Sequence, residues 1–300
     1  MNIVIAGGTG FLGSAIIREL LEQHHEVTLL SRSAADAPWN VRLERWDGRT
    51  VGEWLKAIED ADAIINLAGE SIGGGRWTKK RKELIRDSRV QSTSAIVEGL
   101  RQAKKKPRVL VNVSGVDYYG HVPEHRVDET SPAGTDFLSQ VCSEWETAAQ
   151  GAAEFGARVV IMRTSFVIGQ GSEAFRRMIL PFKLFAGGPY GPGSQWFSWI
   201  HLNDVVAGYL MAVRNSALQG AVNLTSPNPV RVNDLAKTLG KILDRPSVLP
   251  APAFALRIAL GEMSDLLLKG RRAVPEKLKK AGFMFRFPDL EDALRAATGT

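Results

Sequence analysis

Four glycines follow a short apolar run near the start of the chain. The run is Ile-Val-Ile-Ala at residues 3–6, the glycines are Gly7, Gly8, Gly10 and Gly13, and apolar side chains then recur at helical spacing through residue 22. The order strand, glycine-rich turn and helix is typical of a dinucleotide-binding unit. One glycine permits the tight turn, one lets the backbone approach a pyrophosphate, and one lets the helix pack on the strand. We therefore predict a dinucleotide whose phosphates lie at the helix N-terminus, where unpaired N–H groups favour negative charge; a glycine-rich turn without a ligand is the alternative.

The end of the second predicted strand distinguishes the two nicotinamide dinucleotides. Residues 26–30 form this strand, and Ser31 and Arg32 follow it. An acidic residue here would bind the free ribose hydroxyls of NAD, whereas an arginine accommodates the 2′-phosphate of NADP. Because the next acid is Asp36, we predict NADP(H) as the cofactor, with Ser31 and Arg32 at its phosphate. An exposed loop arginine is the alternative.

Other predicted strand ends supply further cofactor contacts. Asp47 follows strand 41–46 and is assigned either to the adenine amino group or to the start of a turn. Arg89, on a helix predicted over 78–104, is placed to reach a phosphate, unless it is simply exposed. Small residues after strand 63–67 let a cofactor pass over the strand end. The predicted cofactor residues are Gly7, Thr9, Gly10, Phe11, Leu12, Gly13, Ser31, Arg32, Asp47, Leu67, Ala68, Gly69, Glu70, Arg89, Ser114 and Val167.

Strands alternate with helices over the first 165 residues. Further strands are predicted at 108–113 and 158–163, and helices at 51–59 and within 134–155. This alternation predicts an α/β fold with a doubly wound parallel (Rossmann) sheet. The glycine-rich loop at 71–77 is a candidate flexible lid.

The pattern changes after Arg163. A turn-rich break covers 187–194, an aromatic stretch covers 195–201, and helices are predicted at 174–185, 203–214, 232–243, 254–269 and 290–297. We predict an NADP-binding domain over 1–165, to which about 197–225 returns, and a smaller C-terminal substrate lobe over 166–300. Possible substrate contacts in this half are Arg163, Arg176, Arg177, Lys183 and His201.

Composition limits the kinds of molecule that the chain is expected to bind and the compartment in which it is expected to lie. The chain has 300 residues, 44% hydrophobic and 23% charged, as in an ordinary soluble protein. A single cysteine, Cys142, excludes internal disulfides and favours a reducing compartment. We expect no signal peptide and no membrane span, and hence a cytoplasmic protein. The net charge is +6, but the basic runs at 79–82 and 104–106 contain no aromatic residues. They are interpreted as solvated helix surfaces, so we predict a small-molecule substrate, no nucleic acid and no metal.

Several of these stretches together resemble a known superfamily. The glycine motif, the strand end Asn66 to Gly69 and the pair Tyr119 and Gly120 resemble the extended short-chain dehydrogenase/reductases, which include nucleotide-sugar epimerases and dehydratases. Residues 136–138, 142–146, 195–201 and 260–265 resemble more closely its atypical "epimerase family", which carries its own C-terminal segment. The resemblance covers nearly the whole chain and implies an NADP(H)-binding Rossmann fold without implying a substrate. By the same analogy, helices 78–104 and 134–155 imply a possible homodimer.

The chain departs from the superfamily at its proton-transfer pair. The larger superfamily uses Tyr-x-x-x-Lys on the helix after the fifth strand, and the lysine lowers the pKa of the tyrosine. Here the overlay places Cys142 at the tyrosine and Glu146 at the lysine. A glutamate would raise the pKa of a neighbouring acid, which is the opposite effect. The position of the superfamily's serine or threonine holds Gly115, with Ser114 one residue earlier.

Three functions are compatible with this departure. The first is an NADP(H)-dependent oxidoreductase on a carbonyl or sugar-like substrate with a replaced acid–base group. The candidates for that group are Ser114, Tyr118, Tyr119, Cys142 and Glu146. For Cys142, buried packing is the alternative. The second is a non-catalytic NADP(H)-binding or regulatory protein. The third is a sugar-nucleotide epimerase, against which the missing tyrosine and lysine count.

Overall fold

The computed structural model describes residues 1–33 and 41–300, so Asp36 lies outside the described residues. Its strands are β1 Asn2–Ala6, β2 Glu26–Ser31, β3 Arg42–Arg45, β4 Ala63–Asn66, β5 Val109–Gly115, β6 Val122–Val127, β7 Arg158–Thr164, β8 Phe166–Ile168, β9 Trp196–Phe197, β10 Trp199–His201, β11 Gly220–Leu224, β12 Val230–Arg231 and β13 Arg271–Ala273. Its helices are α1 Phe11–Glu22, α2 Leu55–Glu59, α3 Lys79–Gln102, α4 Phe137–Gln150, α5 Glu173–Lys183, α6 Leu202–Arg214, α7 Val232–Leu243, α8 Ala253–Leu260, α9 Asp265–Leu268, α10 Glu276–Lys280 and α11 Leu290–Thr298.

Seven strands form one sheet in the order β11-β7-β5-β4-β1-β2-β3. Every neighbouring pair in it is parallel. Because β1 lies between β2 and β4, the chain leaves β1 toward one edge of the sheet and later returns to its other side. Open α/β sheets bind ligands beyond the carboxyl ends of the strands at such a switch point. The predicted doubly wound parallel sheet is confirmed.

Both faces of the sheet are buried, which explains the continuous apolar runs of its inner strands. Ile3 and Ile5 of β1 pack with α1 and α6 on one face. Val4 and Ala6 point the other way and pack with α2 and α3. Alternate side chains of one strand therefore belong to opposite cores, and the carboxyl edge of the sheet is left for the site.

The second half of the chain adds a smaller core beside the sheet. Helices α5, α7 and α11 bury apolar side chains around Phe197 and Trp199. Strand β11 nevertheless pairs with β7 inside the main sheet. Two-stranded sheets join β8 to β10, β9 to β12 and β6 to β13. No helix within the described ranges is long and apolar enough to cross a membrane.

The aromatic stretch at 195–201 holds the C-terminal segment in place. Trp199 Nε1 donates to Asn228 O at 3.0 Å. The His201 ring caps α6 and lies 4.0 Å from the Phe287 ring, centroid to centroid. Burial, helped by the charge of Arg286, lowers the pKa of His201 to about 4. His201 is therefore a neutral structural residue, and the expectation that it contacts substrate finds no support in this packing.

Two predicted helices have wrong bounds, and one strand was missed. The apolar stretch 254–269 is not one helix, because Gly261 adopts φ +60° and separates α8 from a 3-10 turn and α9. The helix expected over 51–59 begins only at Leu55. Strand β6 was not predicted, because its sequence Val-Pro-Glu-His-Arg-Val is polar and its partner β13 lies far along the chain.

Candidate functional site

The glycine-rich turn after β1 is shaped by close backbone approaches. Gly7 adopts φ +74°, and a Cβ there would lie 2.7 Å from the carbonyl carbon of Leu67. A Cβ on Gly13 would lie 2.5 Å from the Gly8 Cα. At Gly10, by contrast, a Cβ would meet only Gly7 O, at 3.4 Å. Gly7 and Gly13 are thus required by the fold itself, whereas Gly10 faces open space at the mouth of the turn.

The same turn leaves the N-terminus of α1 available to an anion. Gly10 is the N-cap residue, and no side chain of the described residues caps the helix. The first intrahelical bond runs from Ser14 N to Gly10 O at 2.9 Å. The amides of residues 11–13 therefore have no partner within the helix, as is general at helix N-termini. Together with the open face of Gly10, this arrangement fits a pyrophosphate.

Arg89 supplies a positive charge beside the neighbouring strand end. A Cβ on Gly69 would lie 3.2 Å from Arg89 Cγ, so the arginine side chain packs directly against the residues that follow β4. Its guanidinium lies 5.1 Å from the Trp145 ring centroid and donates to Ile85 O at 2.9 Å. Burial lowers the pKa of Arg89. Within the described ranges, no carboxylate lies within ion-pair distance of it, so an anionic ligand could pair with this half-buried cation.

Side-chain amides fix the strand end over which a cofactor would pass. Asn66 Nδ2 donates to Asn112 Oδ1 at 2.7 Å and to Thr93 Oγ1 at 2.8 Å, and Asn66 Oδ1 accepts from Ala68 N at 3.1 Å. Glu70 N donates to Ser88 Oγ at 3.0 Å. These bonds hold the predicted stretch from Leu67 to Glu70 at the edge of the sheet, beside the glycine turn.

The predicted adenosine contacts lie at the ends of β2 and β3. Ser31 is half-buried and Arg32 is exposed. The Asp47 carboxylate accepts bonds from Arg49 N at 2.7 Å, Thr50 N at 2.8 Å and Thr50 Oγ1 at 2.7 Å. The Thr50 and Arg49 bonds lower the pKa of Asp47 to about 2. This geometry supports the turn-forming alternative for Asp47, and its contact with adenine stays a prediction.

The remaining predicted cofactor residues lie in the glycine turn, in the first turn of α1 and in β8. The space beyond the carboxyl ends of β1, β4 and β5 is called the cofactor groove below. Thr9 is exposed, and Phe11 and Leu12 are half-buried in the first turn of α1. The Phe11 ring lies near the loop after β8, since a Cβ on Gly169 would be 3.5 Å from Phe11 Cζ. Val167 lies in β8, half-buried against the main core. No measured contact connects Val167 with a ligand, so its assignment stays a prediction.

Glu146 and Arg163 form a buried ion pair beneath the end of β5. Arg163 Nε donates to Glu146 Oε1 at 2.9 Å and Arg163 Nη2 to Glu146 Oε2 at 2.8 Å. Ser114 Oγ also donates to Glu146 Oε1, at 2.7 Å. The side chains of Arg163 and Glu146 are only 5% and 9% exposed. Burial alone lowers the pKa of Arg163, but the bonds to Glu146 outweigh it and raise the pKa overall. Ser114, Glu146 and Arg163 are thus engaged with one another.

The two tyrosines extend this cluster differently. Tyr119 is buried; its hydroxyl donates to Asn223 Oδ1 at 2.7 Å and accepts from Arg163 Nη1 at 2.9 Å. Burial raises the pKa of Tyr119 to about 12, although Arg163 opposes the shift. Tyr118 is half-buried, and its ring centroid lies 3.4 Å from the Arg163 guanidinium carbon. Tyr119 is therefore a structural phenol, whereas Tyr118 keeps an exposed edge.

Cys142 is an unfavourable base. The thiol is buried, and burial raises its pKa to about 12, reinforced by the charges of Asp117 and Glu146. The thiolate is the reactive form of cysteine, so at neutral pH this side chain is a protonated packing group. The structure thus supports the packing alternative for Cys142.

A further pair, Asp117 with Arg271, was missed by the sequence analysis. A Cβ on Gly115, at the end of β5, would lie 3.0 Å from Asp117 Oδ2, so the carboxylate folds back over that strand end. Arg271 Nη1 donates to Asp117 Oδ1 at 2.5 Å, and Arg271 Nε donates to Gly120 O at 2.7 Å. The Asp117 side chain is 23% exposed. No local signal pairs residues so far apart in the sequence.

Comparison with known proteins places this geometry in a family. The model of the NAD dependent epimerase/dehydratase family matches residues 3–224, and that of a domain of unknown function, DUF1731, matches residues 251–297. The chain belongs to the NAD-dependent epimerase/dehydratase family. The predicted family, with its own C-terminal segment, is confirmed, and so is a nicotinamide dinucleotide as the family's cofactor.

Individual relatives span the whole chain. The epimerase family protein YfhF of Bacillus subtilis is 41% identical over 98% of this chain and 97% of its own length. The chloroplastic SDR39U1 homolog of Arabidopsis thaliana is 38% identical over 99% of this chain and 86% of its own length. The crystal structure of human epimerase family protein SDR39U1 (isoform 2) with NADPH superposes with a TM-score of 0.91 at 31% identity, covering all of both chains.

Proposed function

We propose that the protein is an NADP(H)-dependent oxidoreductase of the epimerase family that works without the tyrosine–lysine pair. The observation that carries the binding step is the uncapped N-terminus of α1 at Gly10, together with the half-buried Arg89 beside Gly69 at the neighbouring strand end. Peptide N–H groups and a guanidinium are the donors that a pyrophosphate requires. The similarity to a human protein solved with NADPH supports the same cofactor here.

Arg32 is proposed to read the phosphate that distinguishes NADP from NAD. It directly follows β2 and is exposed at the carboxyl edge of the sheet. The next acid in the sequence is Asp36, four residues later. An arginine at this position accommodates the 2′-phosphate.

Replacing Arg32 by alanine is expected to weaken NADPH binding and leave NADH binding unchanged, because only NADPH carries the 2′-phosphate. A hydrogen bond to a charged group contributes about 1.5–3 kcal/mol, so the loss should be roughly 10- to 100-fold. Fluorescence titration with both cofactors measures it. Arg18→Ala, which removes an exposed arginine from α1, is the matched control, and equal losses for both cofactors would reject the assignment.

Proton transfer cannot use the Tyr-x-x-x-Lys pair of the larger superfamily, because this chain lacks that pair. Arg163 is bonded to both Glu146 and Tyr119, and Ser114 donates directly to Glu146. Burial raises the pKa of Cys142. Tyr118 and Asp117 remain partly exposed at the end of β5. A bound nicotinamide would supply hydride transfer; Tyr118 and Asp117 are then the groups left to exchange a proton with a carbonyl or alcohol substrate.

Single-turnover oxidation of bound NADPH by a panel of aldehydes and ketones tests this assignment. Tyr118→Phe is expected to slow the reaction by about 10²–10⁴-fold, the usual contribution of a positioned acid. Tyr119→Phe, the matched control, should lower stability and leave the rate nearly unchanged, because its hydroxyl is enclosed by Asn223 and Arg163. The opposite pattern in folded variants would overturn the assignment.

A second candidate is a non-catalytic NADP(H)-binding protein. The observation that favours it is that four of the five predicted acid–base groups are buried. NADPH that binds tightly and is oxidised by none of the carbonyl compounds would support this candidate. A true sugar-nucleotide epimerase is less favoured, since it relies on the missing pair. The small-molecule substrate, the homodimer and the cytoplasmic location stay predictions.

A further inference from the structure

A glycine-rich loop, residues 71–77, follows β4 and borders the cofactor groove. Gly73 and Gly75 have no described neighbour within 4 Å of where a Cβ would stand, and Gly75 adopts φ +148°. The loop backbone is therefore hardly packed at these positions. Segments with few packed contacts and flexible backbones open at low free-energy cost. Within the loop, Trp77 Nε1 donates to Ile72 O at 2.9 Å; the loop's other polar contacts come from the elements beside it.

Three arginines bond the loop to its neighbours. Arg81 of α3 donates from Nη2 to Ser71 O. Arg177 of α5 donates from Nη1 to Gly73 O at 3.1 Å. Arg76, within the loop, donates from Nη2 to Ile258 O at 2.7 Å. Just beyond the loop, Lys82 Nζ pairs with Glu262 Oε2 at 2.5 Å. The loop is thus tied to α8, and the helix that follows the loop, α3, is tied to the turn after α8. Both α8 and that turn are parts of the segment matched by DUF1731.

The same C-terminal segment reaches the opposite wall of the groove. Arg271 of β13 binds Asp117 and Gly120, in the turn that follows β5. Strands β4 and β5 are neighbours in the sheet. Residues 251–297 therefore contact both the glycine-rich loop between β4 and α3 and the turn directly after β5.

Helix α8 is itself weakly held. None of its residues is buried, and Phe254 and Ile258 are 67% and 72% exposed. Its polar link to the glycine-rich loop is the bond from Arg76 to Ile258 O, and the turn after it is joined to α3 by the partly exposed ion pair of Glu262 with Lys82. Such contacts contribute little individually, so they can break without disturbing the core.

We propose that residues 251–297 form a latch on the cofactor groove. The latch holds the glycine-rich loop and the turn after β5 closed over bound NADP(H), and Arg76 must leave Ile258 O before the cofactor departs. This inference rests on the proposed function and assigns a task to the C-terminal segment. Closing loops of this kind often set the rate of ligand release.

The dissociation rate of NADPH, measured by stopped-flow displacement with excess NADP⁺, tests the latch. Arg76→Ala is expected to release NADPH roughly tenfold faster, a rate change that corresponds to about 1.4 kcal/mol. Arg76→Lys should recover part of the retention, because a lysine can still donate to the carbonyl. Arg257→Ala removes an exposed charge from the same helix and should release NADPH at the wild-type rate.

The outcomes separate the latch from the proposed function. If the wild-type protein binds no NADPH, the proposed function fails. If it binds NADPH but folded Arg76→Ala and Glu262→Gln variants release it at the wild-type rate, only the latch is overturned. Equal acceleration by Arg257→Ala and Arg76→Ala would also overturn it, because a general loss of charge would then explain the effect.

Discussion

Replacing Gly10 by valine is expected to abolish NADPH binding while leaving the fold intact. A Cβ at Gly10 would meet only Gly7 O, at 3.4 Å, so the folded chain tolerates the new side chain. The isopropyl group would instead fill the space through which a pyrophosphate reaches the amides of α1. We expect a loss of at least about 100-fold in affinity, or roughly 2.7 kcal/mol. Fluorescence titration with NADPH measures it, and thermal unfolding verifies the fold.

Two other glycines serve as controls for this experiment. Gly52→Val should change neither the affinity for NADPH nor the thermal stability, because the atoms nearest to a Cβ on Gly52, both in Trp54, lie at 3.7 Å and 3.8 Å. Gly13→Val should destabilise the whole protein, because its Cβ would lie 2.5 Å from the Gly8 Cα. Unchanged affinity in a folded Gly10→Val variant would show that the phosphates bind elsewhere.

Replacing Arg163 by methionine is expected to destabilise the protein by about 3–5 kcal/mol, the usual cost of leaving one member of a buried ion pair without its partner. The substitution removes both bonds to Glu146 and the bond to the Tyr119 hydroxyl. The carboxylate of Glu146 then has only Ser114 as a remaining partner. Urea unfolding measures the free-energy difference.

The double variant Arg163→Met with Glu146→Leu tests whether the single variant loses stability because it leaves Glu146 as an unpaired buried charge. We expect it to recover most of the lost stability, because replacing a buried ion pair by apolar side chains is often neutral. Arg86→Met breaks the exposed pair with Glu144 and should cost no more than about 1 kcal/mol. A single Arg163→Met variant as stable as the wild type would contradict the buried pair.

Local sequence was enough to predict the part of the site that local geometry builds. The glycine turn, the uncapped α1 and the strand end after β4 each lie within a few residues of chain, so spacing alone reveals them. Helix ends were less predictable. The stretch 254–269 is rich in apolar residues, yet the positive φ of Gly261 divides it, and α8 at its start has no buried residue.

Contacts between distant residues set the limit of prediction from sequence. Tyr119 binds Asn223 across 104 residues, Asp117 binds Arg271 across 154, and Arg76 binds Ile258 across 182. No spacing rule connects such positions. The identity of Glu146 showed that the usual lysine is missing, but its two-bond pairing with Arg163 depends on how α4 packs on β7. The engagement of the acid–base candidates became visible only in three dimensions.

The burial of Cys142 has a practical consequence for spectroscopy. It is the chain's single cysteine, and burial raises its pKa to about 12. Thiol-reactive dyes attack the thiolate, so the native chain should remain almost unlabelled under mild conditions. A cysteine introduced at Gly73 would then carry one fluorophore, and its emission would follow the movements of the glycine-rich loop in real time without background from the rest of the molecule.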